Sequence, residues 1–466
     1  MNINRLIYPG FWFGKTPEQD ALEMARRGAG GFCIYGGTRR EVQDFIQKIR
    51  AASPLPQVFI CADYEDGLGR WMAAEEWVLS NLAVGADGRE DTAYQKGLTL
   101  AREARAVGVD WVFAPVLDLC DEPQNPIVNT RSFGAHPQAV GTLGAALCRG
   151  LRDGGVLNSI KHFPGHGRTT QDSHLGLPLL ARTPQQLTQT ELVPFCTALP
   201  GADSVMVGHL LFPALDEKYP ASLSRAVITD LLKKRLGFQG LVFTDALCMK
   251  ALGDEKQAAL AALHAGAHIL LAAEDSVALS DFLQKQALPL SVAAESVRLQ
   301  ETLGARLSGH PVTGLSAADF NQTYAPHCAV YEGEKLPLRP GLRAAYLELG
   351  NEEDFVAQPF LNALQAAGVH IVPAGEKAEV LLAVSFSNYK AFKGHINLSA
   401  AEQAALSRAA QKYAHTVWIS FGSPFGTENI RELSARLWLF SPARAAQTCA
   451  ADMLLGRQTA QGKLPF

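Results

Sequence analysis

Short apolar segments alternate with longer segments of helical periodicity up to about residue 275. The apolar segments are rich in β-branched and aromatic residues and carry no polar alternation, which is typical of strands buried on both faces. They cover eight ranges: 5–11, 30–36, 57–64, 110–119, 156–163, 204–210, 241–247 and 268–274. Helical segments such as PEQDALEMARRGA and TAYQKGLTLAREARAVG lie between them, and several end on glycine, as helices often do.

Eight buried strands that alternate with helices predict an α/β fold with a parallel (β/α)8 TIM-type barrel. An open, doubly wound parallel sheet is the alternative. Polar residues at strand ends favour the barrel, because barrel enzymes carry their chemistry at the C-terminal ends of the strands. Five segments end in such residues: Asp63, Asp118, Lys161-His162, His209 and Asp245. One polar residue can simply mark a strand end, whereas five indicate a shared site.

Residues 305–342 are rich in proline, glycine and small polar residues and predict a linker. Beyond them, LRAAYLELG, AEVLLAVSF and HTVWISFG predict buried strands, with helical segments among them. We therefore predict a barrel domain over residues 1–305, a linker over 306–342 and a smaller α/β sandwich domain over 343–466.

Composition and charge narrow the possible functions. A chain of 466 residues with 47% hydrophobic and 19% charged residues suits two globular domains. The formal net charge of −4 gives no electrostatic reason to expect nucleic acid or an anionic membrane as a partner. The sequence has no signal-peptide or membrane-spanning run, and its eight cysteines are scattered without a CxxC pair. A cytoplasmic protein with reduced thiols is expected.

The segment IKHFPGHGRTTQDSH, residues 160–174, concentrates three histidines, a lysine and an aspartate near the end of the fifth strand. Asp172 and His174 suit a general acid/base, since a carboxylate bonded to one imidazole nitrogen leaves the other to exchange a proton. An ordinary surface histidine is the alternative for His174. A metal site on His162, His166 and His174 lacks the spacing usual for zinc, and the GxxxxGK[ST] motif of a phosphate-binding loop is absent.

Asp245 lies near the end of the seventh strand, in the apolar run LVFTDAL. A carboxylate buried there needs hydrogen-bond donors or a function. It is a helix N-cap, a nucleophile or a stabiliser of positive charge. Asp63, Arg131 and Lys161 suit a polyol site, because a carboxylate, a guanidinium fork and an ammonium group all bind hydroxyls. Each of these three residues could instead form a salt bridge.

Together these segments resemble glycoside hydrolase family 3, in its β-N-acetylglucosaminidase branch. KHFPGHGRTTQDSH is similar to the branch's K-H-F-P-G-H-G…D-S-H signature, and LVFTDALCMKAL resembles its nucleophile segment. FAPVLDL, NPIVNTRSFG, VGHLLFPALD and YPASLS match in the family's order and spacing. The resemblance covers most of residues 55–255, and the end of the chain is similar to a shortened form of the family's second α/β domain.

The resemblance implies a retaining hydrolase with no cofactor and no metal, acting on small carbohydrates with terminal β-linked N-acetylglucosamine, such as peptidoglycan fragments. Asp245 would attack the anomeric carbon, and His174, paired with Asp172, would act as acid and then as base. Sugar binding would fall to Asp63, Arg131, Lys161, His162, Arg70, His209 and Met249. Arg70 comes one residue earlier than the family's arginine, and Ala246 and Cys248 replace an acidic residue and a serine.

Other functions stay open from the sequence. Phosphate could replace water in resolving the glycosyl-enzyme, because an imidazole does not repel an anion as a carboxylate does, and glucose could replace N-acetylglucosamine. A substrate-assisted mechanism would use Asp121-Glu122 to orient the acetamide. A non-catalytic sugar-binding protein and a metallohydrolase are alternatives from other classes. The sequence predicts neither the natural aglycone nor the oligomeric state.

Overall fold

The structure is a computed structural model that describes residues 2–173, 175–307, 313–336, 338–351, 355–389 and 393–466. Within these residues the first sheet has nine parallel strands. They are β1 (Ile7–Tyr8), β2 (Gly10–Trp12), β3 (Gly31–Tyr35), β4 (Phe59–Ala62), β5 (Trp111–Val112), β6 (Leu157–Phe163), β7 (Ser204–Val207), β8 (Leu241–Ala246) and β9 (Ile269–Leu271). β1 pairs with β9 and β2 with β3, so the two ends of the sheet meet in a strand interrupted at Pro9. Proline has no N–H to give to a neighbouring strand.

The predicted (β/α)8 barrel is confirmed. Seven of the eight apolar segments each contain one barrel strand, and the first segment contains β1 and most of β2. The order β1-β9-β8-β7-β6-β5-β4-β3-β2 begins and ends on two consecutive strands on either side of Pro9, and an open doubly wound sheet would not bring its two edges together in this way.

Helices surround the barrel. They are α1 (Glu18–Arg26), α2 (Arg39–Ala52), α3 (Asn81–Asp87), α4 (Glu90–Val107), α5 (Pro137–Asp153), α6 (Pro184–Gln189), α7 (Leu192–Ala198), α8 (Glu255–Ala265), α9 (Ser276–Leu283), α10 (Leu290–Arg306) and a π-helix at Ala226–Arg235. Short 3-10 helices lie at Ile3–Leu6, Leu68–Arg70, Asn129–Arg131, Leu199–Gly201, Ala221–Leu223 and Lys250–Leu252. No helix in the described part of the chain is both long and apolar enough to cross a membrane.

Alternate residues of the barrel strands fill the barrel interior with large side chains. Phe243 lies at the centre of this cluster, with ring centroids 5.4 Å from Tyr8, 5.1 Å from Trp111 and 5.3 Å from Phe113, all edge to face. Such a packed interior is a rigid base for the residues at the strand ends.

The second sheet has six strands in the described residues, in the order β10-β15-β14-β13-β11-β12. They are β10 (Val330–Gly333), β11 (Arg343–Leu349), β12 (His370–Pro373), β13 (Val380–Ser385), β14 (His415–Ser420) and β15 (Ala435–Trp438), with β10 antiparallel to β15. Helices α11 (Ala317–Cys328), α12 (Gln358–Ala366), α13 (Ala400–Ala410) and α14 (Arg444–Leu454) accompany it. The predicted second α/β unit is confirmed, and its three predicted strands correspond to β11, β13 and β14.

The predicted linker contains regular structure. Residues 306–342 include α11, whose Asn321 accepts a hydrogen bond from the Leu79 N–H at 2.9 Å, and β10, an edge strand of the second sheet. The end of the chain returns to the barrel, where the Ala135 N–H donates to the Pro465 carbonyl at 2.9 Å. The domain boundaries at 305 and 342 stay a prediction.

Candidate active site

Five of the predicted site residues lie at one end of the barrel. All barrel strands are parallel, so their C-terminal ends open at the same mouth. Asp63 follows β4, Lys161 and His162 lie in β6, and Asp245 lies in β8. Arg131 ends a short 3-10 helix in the loop after β5.

Four charged side chains form a continuous ionic chain at this mouth. Lys161 donates to Asp63 at 2.6 Å and lies 2.7 Å from Glu65. The other oxygen of Glu65 accepts from Arg131 Nε at 2.5 Å. Lys161, Glu65 and Arg131 are buried, whereas the Asp63 side chain keeps 25% of its surface exposed. Asp63 is therefore the member of the chain that is most open to a ligand.

Charge balance stabilises this buried chain. Burial raises the pKa of the Glu65 carboxyl, but Arg131 and Lys161 outweigh burial and hold this pKa below its ordinary value. Burial lowers the pKa of Lys161, and the carboxylates of Asp63 and Glu65 outweigh it, so this pKa lies above its ordinary value. Glu65 and Lys161 are therefore both ionised at neutral pH and fix each other in place.

Glu65 is a candidate functional residue that is not among the residues predicted from the sequence. It lies two residues after Asp63, in the segment CADYEDGLGR. In an extended chain this spacing puts both carboxylates on the same side, so the spacing was a usable signal. Glu65 bridges the two buried cations, Arg131 and Lys161, and fixes their positions relative to each other.

Replacing Glu65 with glutamine is expected to lower the free energy of unfolding by about 3 kcal/mol, because buried Arg131 would lose its paired carboxylate and Lys161 would keep only Asp63. Urea unfolding of the two proteins measures this change. Glu301→Gln is the matched control, since Glu301 pairs with Arg5 at the surface with 63% of its side chain exposed. Equal effects of the two substitutions would contradict the assigned role of Glu65.

Asp118, at the end of the fourth predicted strand, orients His162. His162 Nδ1 lies 2.6 Å from Asp118 Oδ2, and the N–H groups of His162 and His166 donate to the same carboxylate at 3.2 and 2.6 Å. Burial raises the pKa of Asp118, but His162 and His166 outweigh burial and hold it below its ordinary value. Because Nδ1 is bonded to Asp118, Nε2 is the nitrogen of His162 that does not face this carboxylate.

His166 is buried and uncharged at neutral pH. Burial lowers its pKa to about 4. Its Nδ1 lies 2.8 Å from the Thr169 hydroxyl, and its Nε2 has no hydrogen-bond partner among the described residues. Within those residues, no group of three or more His, Cys, Asp or Glu side chains is placed to hold a metal ion.

Asp245 is half-buried at the end of β8, and its Oδ1 accepts a hydrogen bond from the Ala246 N–H at 2.8 Å. Two other predicted residues support this turn. His209 Nε2 donates to the Ala246 carbonyl at 3.0 Å while its Nδ1 lies 2.7 Å from the Ser222 hydroxyl. The Met249 N–H donates to the same carbonyl at 3.1 Å. The structure thus places His209 and Met249 beside the backbone that carries Asp245.

The loop after β6 carries buried Asp172, and its first half is attached to the loop after β5. Arg168 forms an ion pair with Asp121. The Asn125 amide donates to three carbonyls of the loop, those of His166, Gly167 and Thr169. His174, the predicted acid/base, lies outside the described residues, so its pairing with Asp172 stays a prediction.

A cavity of about 540 Å³ lies beside this loop. It is lined by Asp121, Glu122, Arg168, Leu179, Leu180, Ala181 and Arg182. Both acidic residues of the substrate-assisted alternative line it and have protein partners: Asp121 pairs with Arg168, and Glu122 accepts from the Gln124 N–H at 3.0 Å.

Arg70 points toward the second sheet. Its Nη2 donates to the Tyr389 carbonyl at 3.0 Å, and its guanidinium carbon lies 5.1 Å from the Tyr389 ring centroid and 5.5 Å from that of Trp77. Among the described residues, Arg70 thus contacts two aromatic side chains and is not a member of the ionic chain that joins Asp63 to Arg131.

Comparison with known proteins identifies relatives of both parts of the fold. Residues 9–302 match the sequence profile of the glycosyl hydrolase family 3 N-terminal domain. The β-hexosaminidase of Idiomarina loihiensis is 33% identical over 245 residues, which cover 50% of this chain and 72% of that protein. A family 3 β-N-acetylglucosaminidase from Paenibacillus sp. str. FPU-7 superposes with a TM-score of 0.86 at 25% identity, over 100% of this chain and 98% of that chain. A β-glucoside phosphorylase superposes with a TM-score of 0.88 at 23% identity, over 100% of this chain and 93% of its own, and shares the fold.

Proposed function

Since this chain belongs to glycosyl hydrolase family 3 and is a glycoside hydrolase, we propose that it removes terminal β-linked N-acetylglucosamine with retention of configuration. The observation that carries the proposal is that the Asp245 carboxylate and the Asp63–Lys161–Glu65–Arg131 chain both lie at the C-terminal ends of parallel strands of one barrel. Relatives named β-hexosaminidases and a structural neighbour named β-N-acetylglucosaminidase support N-acetylglucosamine as the sugar. The resemblance of the motifs leads us to propose peptidoglycan fragments, in the cytoplasm, as natural substrates.

In the first proposed step, Asp245 attacks the anomeric carbon and forms a glycosyl ester. The bond from that carbon to the leaving oxygen breaks, and His174 gives a proton to this oxygen. The Ala246 N–H at 2.8 Å fixes the Asp245 carboxylate, which keeps the attacking oxygen directed at one position.

In the second proposed step, His174 takes a proton from water, and this water attacks the anomeric carbon and releases Asp245. Two inversions give retention. Asp172 would hold the imidazole and stabilise its charged form between the steps. The common scheme of this reaction uses two carboxylates, so a histidine acid/base is the distinctive part of the proposal.

Sugar recognition is assigned to the ionic chain and His162. Asp63 is exposed enough to accept hydrogen bonds from sugar hydroxyls, while Lys161 and Arg131 supply fixed donors beneath it. Because each group is held by an opposite charge, little reorganisation is needed when a sugar replaces water.

Product analysis tests this function. The purified protein is given 4-nitrophenyl β-N-acetylglucosaminide, the matching β-glucoside and a β-linked GlcNAc–MurNAc disaccharide, each with and without inorganic phosphate. We expect free N-acetylglucosamine, formed first as the β-anomer, at a rate that is independent of phosphate.

Each other product points to a different reaction. A sugar 1-phosphate would show that phosphate resolves the intermediate, and preferential release of glucose would identify a β-glucosidase. Initial release of the α-anomer would contradict retention. Absence of turnover on all three substrates would contradict the enzymatic function.

A further inference from the structure

The loop after β13 of the second sheet places the side chain of Tyr389 at the barrel mouth. Tyr389 lies four residues beyond the end of β13 and is 8% exposed. Its ring packs with Ile127 of the barrel and Ile396 of the second unit. The preceding residue, Asn388, is buried and donates to the Phe386 carbonyl at 3.2 Å, which fixes the start of this loop.

Tyr389 covers the guanidinium that ends the ionic chain. The guanidinium carbon of Arg131 lies 4.6 Å from the centroid of the Tyr389 ring, while Nε of the same group donates to Glu65. A planar cation that has a carboxylate at its edge and an aromatic ring on its face is fixed in both position and orientation.

Arg70 holds the same tyrosine from another side. It donates to the Tyr389 carbonyl at 3.0 Å and stacks on the Tyr389 ring at 5.1 Å. A guanidinium engaged in this way contacts the protein rather than a sugar. The earlier position of Arg70 in its segment agrees with a different use of this arginine.

The contact belongs to a wider junction between the two units. Asn129, two residues before Arg131, donates to the Ser423 hydroxyl at 2.9 Å. Asn397 donates to the Pro123 carbonyl at 2.6 Å. Both bonds join the loop after β5 to the second unit, so the junction holds Tyr389 against this loop rather than leaving it at a free surface.

We propose that Tyr389 is a positioning residue of the sugar site, supplied by the second α/β unit, and that Arg70 acts by holding Tyr389 in place. This inference rests on the proposed function, because the group that Tyr389 positions is the sugar ligand Arg131. Loss of the ring would free the Arg131 guanidinium to rotate and admit water above it. The Glu65–Lys161–Asp63 chain would then lose its fixed end.

The electrostatic surroundings of Tyr389 agree with this role. Burial raises the pKa of its hydroxyl to about 12, Arg131 and Arg70 act against this rise, and Asp172 and Glu65 add to it. The tyrosine is therefore neutral at working pH and lies within electrostatic range of Asp172 on the loop after β6. A neutral ring can cover the arginine without competing with Glu65 for its charge.

The test compares Tyr389→Leu, Tyr389→Phe and Arg70→Ala with the parent protein on 4-nitrophenyl β-N-acetylglucosaminide. Leucine keeps much of the buried apolar volume and removes the aromatic face, whereas phenylalanine keeps the face. We expect Tyr389→Leu to lower kcat/KM about tenfold, mainly through KM, and Tyr389→Phe to stay within about twofold of the parent. Arg70→Ala should resemble Tyr389→Leu, and the double variant should lose no more than either single variant.

Tyr346→Ala is the matched control for damage to the second unit, since this tyrosine lies on β11 and its hydroxyl bonds Glu348 of the same sheet. Its kcat/KM should equal that of the parent. Parental KM in Tyr389→Leu, or an equal loss in Tyr389→Phe, would overturn the role of the ring. Multiplying losses in the double variant would overturn the role of Arg70. An inactive parent would contradict the proposed function before any variant is compared, and the inference would fall with it.

Discussion

Asp245→Asn is expected to lower kcat on aryl β-N-acetylglucosaminides by about 10⁴-fold while the protein stays folded. The amide has the shape of the carboxylate, and its oxygen can still accept the Ala246 N–H that bonds Asp245 Oδ1 at 2.8 Å. It is, however, a far weaker nucleophile and cannot form the glycosyl ester. Steady-state kinetics and thermal melting of the two proteins measure the loss of rate and the retained fold.

Asp254→Asn is the control for this prediction. Asp254 is also a carboxylate beyond β8, where it caps α8 by accepting from the N–H groups of Lys256 and Gln257. Asparagine caps helices as well as aspartate does, so activity and stability should both be unchanged. If Asp245→Asn kept more than about a hundredth of the parental kcat, Asp245 would not be the nucleophile, since loss of a covalent nucleophile costs far more.

His174→Ala is expected to lower kcat/KM by about 10²- to 10⁴-fold on substrates whose leaving group needs a proton. The loss should be much smaller with a 2,4-dinitrophenyl leaving group, because this phenolate departs without protonation. Azide should restore part of the rate by attacking the glycosyl-enzyme without a general base. Kinetics with a series of leaving groups, with and without azide, measure both effects.

An exposed histidine on α8 supplies the comparison for the acid/base prediction. His264 bonds the Ala287 carbonyl at 3.1 Å and lies on the outside of the barrel. His264→Ala should therefore match the parent with every leaving group. A loss in His174→Ala that is the same for every leaving group, with no response to azide, would identify a positioning role for His174 and not proton transfer.

The barrel was predictable because each of its strands is encoded by a short sequence pattern within the strand itself. Strands buried on both faces appear as uninterrupted apolar runs, and each run in the first 275 residues contains a strand. Parallel direction then brings the strand ends to one mouth, so Asp63, Lys161 and Asp245 could be grouped without coordinates. Asp118 was visible by the same rule, although its role as the partner of His162 needed the structure.

The remaining features depend on contacts between distant parts of the chain. Tyr389 reaches Arg131 across about 260 residues, and no periodicity in either segment encodes this contact. β10, β12 and β15 were not predicted, because none of them forms a long apolar run: β10 contains Glu332, β12 begins with a histidine and ends in a proline, and β15 contains Arg436. α11 was not predicted and fell within the predicted linker, because its helical residues follow a stretch rich in proline and glycine.

Trapping the glycosyl-enzyme tests the central claim most directly. The protein is incubated with a 5-fluoro derivative of N-acetylglucosaminyl fluoride, which forms the intermediate faster than water resolves it, and is then digested with trypsin. Asp245 is the single acidic side chain in the tryptic peptide of residues 236–250, LGFQGLVFTDALCMK. We predict that this peptide alone gains the mass of one fluorosugar, and that Asp245→Asn abolishes the gain. A sugar attached to any other peptide, or turnover of the reagent with no adduct at any time point, would contradict a covalent intermediate on Asp245.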